Sequence, residues 1–257
     1  MKIVGVIQAR MGSSRLPGKT LRLINGKPLL QRVIERVQLS KSIHEIIVAT
    51  TDQPEDKQIV KFCNTHNIRV FAGSESDVLK RFSDTARASD ADIVVRLTAD
   101  DPLKDPELID QLVNMLVADD SADYASNTLT ATFPEGLDCE VIRVASLFAA
   151  NKEAAKPSER EHVTSYIYNS PHLFKVLELR NGFDAAEHRW TVDYLEDLLF
   201  AEAVYKEFEP RIDFGWKEIL SLVTEKPDIA NLNKQKAVRN EGYLRSLQDE
   251  DSSNAKK

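Results

Sequence analysis

The chain has 257 residues, 42% hydrophobic and 29% charged, enough for about one to two domains with a core that needs no staples. Its two cysteines, Cys63 and Cys139, form no CxxC and no Cys/His cluster at metal spacing, which excludes a disulfide scaffold and a zinc ribbon and fits a reducing, cytoplasmic setting. The net charge of −7 speaks against nucleic-acid binding, which asks for a basic face, but allows a small anion held by a few local cations.

The apolar run 2–8 reads as a buried parallel strand, and its length is far too short for a membrane span or a secretory signal. Pro28 opens a helix over 29–37 with apolar residues at helical spacing. Residues 45–50 (EIIVAT) predict a second strand, 54–65 a helix with Ile59, Val60 and Phe62 inward, and 68–71 a third strand. A helix over 76–88, a strand over 92–97 and a helix capped by Asp105 follow. This alternation implies an α/β fold: a mostly parallel, Rossmann-like sheet with helices on both faces.

After about residue 120 the alternation weakens. Strands are predicted at 124–127, 139–143 and 174–179, with a helix beginning at Glu159-Arg160-Glu161-His162. The stretch 121–190 reads as a substrate-binding insertion between a nucleotide-binding part, 1–120, and a C-terminal helical part, 191–247. Amphipathic helices are expected over 193–207 and 216–224. The helices around Phe200 and Trp216 could pair two copies of the chain, although such helices more often pack on their own core. The polar end, 248–257, is expected to be frayed.

The most informative stretch follows the first strand. Between Arg10 and Lys19 lie Gly12 and Gly18, Ser13 and Ser14, and three cations, Arg10, Arg15 and Lys19. Glycines let backbone N–H groups approach a phosphate, and the cations neutralise it. A Walker A loop needs four residues between its glycines and a helix directly after; here five intervene, and an Asn25-Gly26 turn comes before the helix. No GxGxxG fingerprint is present.

The run 7–19 (IQARMGSSRLPGK), with NGKPL at 25–29, resembles the nucleotide signature of sugar nucleotidyltransferases. It is most similar to the cytidylyltransferase branch that activates sialic acid and 3-deoxy-manno-octulosonate, and within it to the spore coat polysaccharide biosynthesis protein F group. VATT (48–51), GSESDVL (73–79), RLTADDPL (96–103), SNT (126–128), GLDCE (136–140), EREHVT (159–164), RWTVD (189–193) and RNEGYL (239–244) extend the resemblance over almost the whole chain.

The resemblance implies a magnesium-dependent transfer of a nucleoside monophosphate from a triphosphate, CTP with GTP left open, to a sugar or sugar acid, releasing pyrophosphate. Asp100 and Asp193 would hold magnesium; each also has an ordinary reading, as a turn residue and a helix cap respectively. Asp101 reads better as the turn residue. Arg10, Arg15 and Lys19 would bind the triphosphate, with Ser13 or Ser14 donating hydroxyls. Ala9, Gly12, Thr50, Ser74 and Ala99 would surround the rest of the nucleotide. Asp77 and Arg81, four apart on a helix, could simply pair.

Asn127, Glu135, Asp138 and Glu140 would contact the acceptor. On a strand Asp138 and Glu140 would share one side, a sugar-binding face or a plain polar one. Arg160, His162 and Arg189 would take an acidic acceptor group, or Arg160 and His162 would belong to a structural network. His44, His66, His172 and His188 read as surface or packing residues. Three rival readings are a P-loop-like ATPase or kinase, a non-catalytic nucleotide-sugar-binding subunit, and a glycosyltransferase on a related fold.

Overall fold

The computed structural model describes residues 1–234 together with Arg239, Leu244, Ser246, Leu247 and Gln248. The expectation of a frayed end therefore lies, Gln248 apart, outside the described residues. The apolar run at the start becomes β1 (Ile3–Gln8), buried up to its last residue. A small antiparallel ribbon follows, β2 (Leu23–Ile24) and β3 (Lys27–Pro28), turning at Asn25-Gly26 with φ 46° and 76° as a tight hairpin requires. Next come α1 (Leu29–Val37), β4 (Glu45–Thr51), α2 (Lys57–Thr65), β5 (Arg69–Gly73), α3 (Val78–Ala88), β6 (Ile93–Thr98) and α4 (Pro106–Val117). Then come β7 (Tyr124–Ser126), β8 (Glu140–Arg143), α5 (Val144–Glu153), α6 (Pro157–Glu161), α7 (Ser165–Tyr168) and β9 (Val176–Glu178). The helices α8 (Leu195–Phe208), α9 (Trp216–Glu225) and α10 (Pro227–Ala230) complete the described elements.

Seven of these strands form one sheet in the order β5-β4-β1-β6-β8-β7-β9. The four on the β5 side are parallel, β8 runs antiparallel to both β6 and β7, and β9 is parallel to β7. The stretch read as an insertion supplies β7, β8 and β9, so it extends the central sheet. An antiparallel strand within an otherwise parallel sheet breaks the βαβα rhythm, which is why the pattern faded there.

Alternating side chains build two cores. Ile3, Ile7, Val48, Ile93 and Val95 face one side, where α1, α2, α4, α8 and α9 pack. Val4, Val6, Ile47, Ala49 and Val94 face the other, against α3, α5 and α7. The result is a three-layer α/β/α fold. Ile59 and Cys63, rather than Val60, carry α2 into the core. Phe200 and Trp216 are buried in the first core, so their helices use those faces on the chain itself. Among the described residues no helix is long and apolar enough to cross a membrane.

Arg36 is fully buried at the edge of this core. Its Nε donates to the Lys104 carbonyl at 2.7 Å and its Nη1 to the Ile212 carbonyl at 2.6 Å, and its guanidinium stacks 4.3 Å from the Phe214 ring centre. It thus ties α1 to the loop after β6 and to the approach to α9. Arg36→Ala strands two carbonyls and should cost about 2–4 kcal/mol in urea unfolding. A loss below about 0.5 kcal/mol, the level of a neutral surface change, would contradict this role.

Candidate active site

The first loop leaves β1 at the carboxyl end of the sheet, where ligands of such sheets bind. Several internal bonds set its shape. Buried Asp56 accepts from the Met11 N–H at 2.6 Å, and its other oxygen bonds the N–H and hydroxyl of Thr51, pinning the loop to the end of β4. The Thr20 hydroxyl donates to the Arg10 carbonyl at 2.6 Å, and Ser13 Oγ accepts from the Leu16 N–H at 3.2 Å. Gly18, at φ 69°, turns the chain into a single 3-10 turn, Lys19–Leu21, and not into the long helix of a P-loop. The loop forms one wall of a cleft of about 390 Å³, whose floor is Gln8, Thr98, Ala99 and Asp100 and whose rim includes Asp193, Glu161 and Ser246.

Lys19 is the centre of that cleft. Its Nζ donates to Asp100 Oδ2 at 2.8 Å, to Asp193 Oδ1 at 2.8 Å and to the Val192 carbonyl at 2.9 Å. Arg15 also reaches Asp193 Oδ1, at 2.7 Å, while Arg189 holds Oδ2 at 2.8 Å. Burial alone would raise the Asp193 carboxyl, but Lys19 and Arg15 outweigh it and hold it at about 2. Asp100 is likewise pulled below its ordinary value by Lys19 against burial. Two backbone bonds set the Asp193 segment: the Val192 N–H donates to the Asp100 carbonyl at 2.8 Å and the Trp190 N–H to the Glu135 carbonyl at 2.7 Å. Gly136, at φ 103°, is required there, since a Cβ would lie 2.7 Å from the Thr191 backbone nitrogen.

A strand-end cleft with a glycine-bearing basic loop and two converging aspartates fits nucleotide chemistry, and the relatives identify the kind. The cytidylyltransferase family model matches residues 4–238. The chain belongs to the cytidylyltransferase family. An uncharacterised protein of Methanocaldococcus jannaschii is 39% identical over 245 residues, 95% of this chain and 98% of that one. Spore coat polysaccharide biosynthesis protein SpsF of Bacillus subtilis is 36% identical over 235 residues, 89% and 96% of the two chains. The solved structure of a cytidylyltransferase from Leptospira borgpetersenii matches with a TM-score of 0.86 and 29% identity, over 93% of this chain and 100% of that one.

In this cytidylyltransferase the cleft gathers Arg10, Gly12, Ser13, Ser14, Arg15, Lys19, Ala99, Asp100 and Asp193. Ala9 is buried beneath the loop, and the Thr50 hydroxyl is buried. Ser74 Oγ accepts from the Asp77 N–H at 3.1 Å. Asp77 and Arg81 do not pair. Asp77 caps α3 through the Lys80 N–H, and Arg81 turns to the Ser74 carbonyl. Asp101 is buried against Lys104 at 2.7 Å, behind the cleft floor, and burial pushes its carboxyl up to about 6.

Two expected acceptor contacts are corrected. Asn127 is fully buried, donating to the Leu137 carbonyl at 3.0 Å and accepting from the Cys139 N–H at 2.9 Å, so it clamps two passages of chain together. Glu140 is buried in an ion pair with Arg96 and accepts from the Tyr124 and Thr164 hydroxyls. Because β8 begins only at Glu140, strand alternation does not reach Asp138, which pairs with Arg239 at 2.8 Å instead.

The other acceptor candidates hold internal partners. Arg160 makes a two-pronged bond to Asp77, at 3.0 and 2.6 Å, and also binds Asn151. Arg189 is shared by Glu135 at 2.6 Å, Asp193 and Asp197 at 3.3 Å. His162 Nε2 lies 3.0 Å from the Ser246 hydroxyl, which donates to Glu161 at 2.8 Å. Gln8, Thr98, Glu161, Ser246 and the loop anchor Asp56 were not singled out by the sequence. Gln8, Thr98 and Glu161 each lie inside a motif that carries the family resemblance, whereas Asp56 gives no signal beyond an acid in a helical first turn.

Glu140→Gln should lower unfolding free energy by about 3–5 kcal/mol, because it breaks the ion pair and leaves the largely buried Arg96 unbalanced. Nucleotide affinity of the folded fraction should stay unchanged. Weakened nucleotide binding with unchanged stability would return Glu140 to the site.

Proposed function

We propose that this cleft binds a nucleoside triphosphate, CTP before GTP, and transfers its nucleoside monophosphate to a hydroxyl of a sugar or sugar acid. The new bond joins the acceptor oxygen to the α-phosphorus, and the bond to the β-phosphate oxygen breaks, releasing pyrophosphate. The single observation that carries this reading is the convergence of Lys19, Asp100 and Asp193 at the end of the basic loop.

The donor set suits magnesium: two aspartate oxygens, hard ligands, already share one cation between them. Asp100 and Asp193 would hold the ion, which when bound supplies charge neutralisation and polarises phosphate oxygens. Arg10, Arg15 and Lys19 would orient the triphosphate and balance the charge developing on pyrophosphate. Arg189, buried among three carboxylates, keeps Asp193 aimed at the cleft. Such chemistry needs in-line positioning more than a strong base. The SpsF relative's name suggests a surface polysaccharide as the destination of the product.

Two measurements test this. Thermal stabilisation by CTP, GTP, ATP and UTP, each with and without magnesium, should single out one triphosphate, with a larger shift when the metal is present. Pyrophosphate release with an accepted sugar should fall about 100-fold or more in Asp100→Asn at unchanged melting temperature. Release of inorganic phosphate alone, or full turnover by Asp100→Asn in magnesium, would overturn the reading.

A further inference from the structure

We infer that Lys19 is a placeholder for the divalent cation: in the nucleotide-free enzyme its ammonium fills the metal position, and the ion enters only when triphosphate draws Lys19 away. The inference rests on the nucleotide reading above and adds an order of binding to it. Three observations carry it. First, the ammonium is 2.8 Å from Asp100 Oδ2 and 2.8 Å from Asp193 Oδ1, so it lies between the two carboxylates that would hold the ion. Magnesium sits about 2.0–2.1 Å from its oxygen ligands, so ammonium and ion cannot share that space. Second, both oxygens of Asp193 are already engaged by cations, Arg15 and Lys19 on Oδ1 and Arg189 on Oδ2. Three cations in contact with one carboxylate repel a fourth.

Third, these cations differ in how they are held. Arg189 has Glu135 and Asp197 as well as Asp193, and its side chain is 8% exposed. Among the described residues, the Lys19 ammonium is anchored by the two aspartates and one carbonyl, at the tip of a flexible four-carbon stem that begins on a short turn beside Gly18. A triphosphate in the same cleft offers Lys19 oxygens of greater total charge. Lys19 can then leave with the phosphates while Arg189 stays and keeps Asp193 in place. The two aspartates become ligands at the moment the phosphates can share the ion.

The test is manganese binding to the whole enzyme without nucleotide, read from the electron paramagnetic resonance of free Mn²⁺. Lys19→Met should bind one Mn²⁺ about tenfold or more tighter than the parent. The double variant Lys19→Met with Asp100→Asn should lose that gain, which places the ion on the aspartates. Lys19→Gln serves the same comparison if the Met variant melts early. Equal Mn²⁺ affinity of the parent and both Lys19 variants would overturn the inference, as would a gain that survives Asp100→Asn. Because no nucleotide is present, either result stands even if CTP proves not to bind, an outcome that thermal shifts would show separately and that would remove the nucleotide reading instead.

Discussion

Asp100 and Asp193 meet around one ammonium although they come from distant parts of the chain. Each accepts from Lys19 Nζ at 2.8 Å, and the carbonyl of Val192 completes the cage at 2.9 Å. Like charges this close repel, and burial penalises both, so the arrangement stands only with a cation between them. The remaining architecture serves that junction. Parallel pairing of β1 with β4 and β6 brings the first loop beside Asp100. Asp56 ties the loop to β4, and the bond from the Val192 N–H to the Asp100 carbonyl fixes the far segment against the strand end.

A second set of charges is held by internal partners. Glu140 with Arg96 and Arg36 on two carbonyls join elements distant in the chain, and Lys104, paired locally with buried Asp101, does so through the Asp138 carbonyl. Removing one member of such a pair leaves an unbalanced charge, so these groups specify geometry more than they add stability. The cleft cations Arg10, Arg15 and Lys19 face a cavity of about 390 Å³, where a ligand can replace their partners. This difference separates the two sets. It also makes Arg189 a structural member of the site, since its three carboxylate partners hold it at the boundary.

Local pattern made much of this legible. The buried apolar runs of β1, β4 and β6 and the helices between them follow from periodicity alone, and the loop after β1 stood out by its glycines and cations. The pairing of Asp100 with Asp193 came from family resemblance, because nothing local links residues so far apart. The antiparallel entry of β8 was not legible, nor was the use of Asn127 and Glu140 as internal clamps, whereas a structural network was one of the two readings open for Arg160. A polar residue in a motif looks the same in sequence whether it faces a ligand or a buried partner. Its partner, such as Arg96 for Glu140 or Asp77 for Arg160, is fixed only when the sheet and helices assemble.

The most direct measurement is a crystal structure of the enzyme with CTP and Mn²⁺, collected at the manganese absorption edge. An anomalous peak bound by Asp100 and Asp193, with the Lys19 ammonium on a phosphate oxygen, is the predicted result. CTP seated in the cleft with Lys19 still bridging both aspartates, or manganese found elsewhere, would contradict the account.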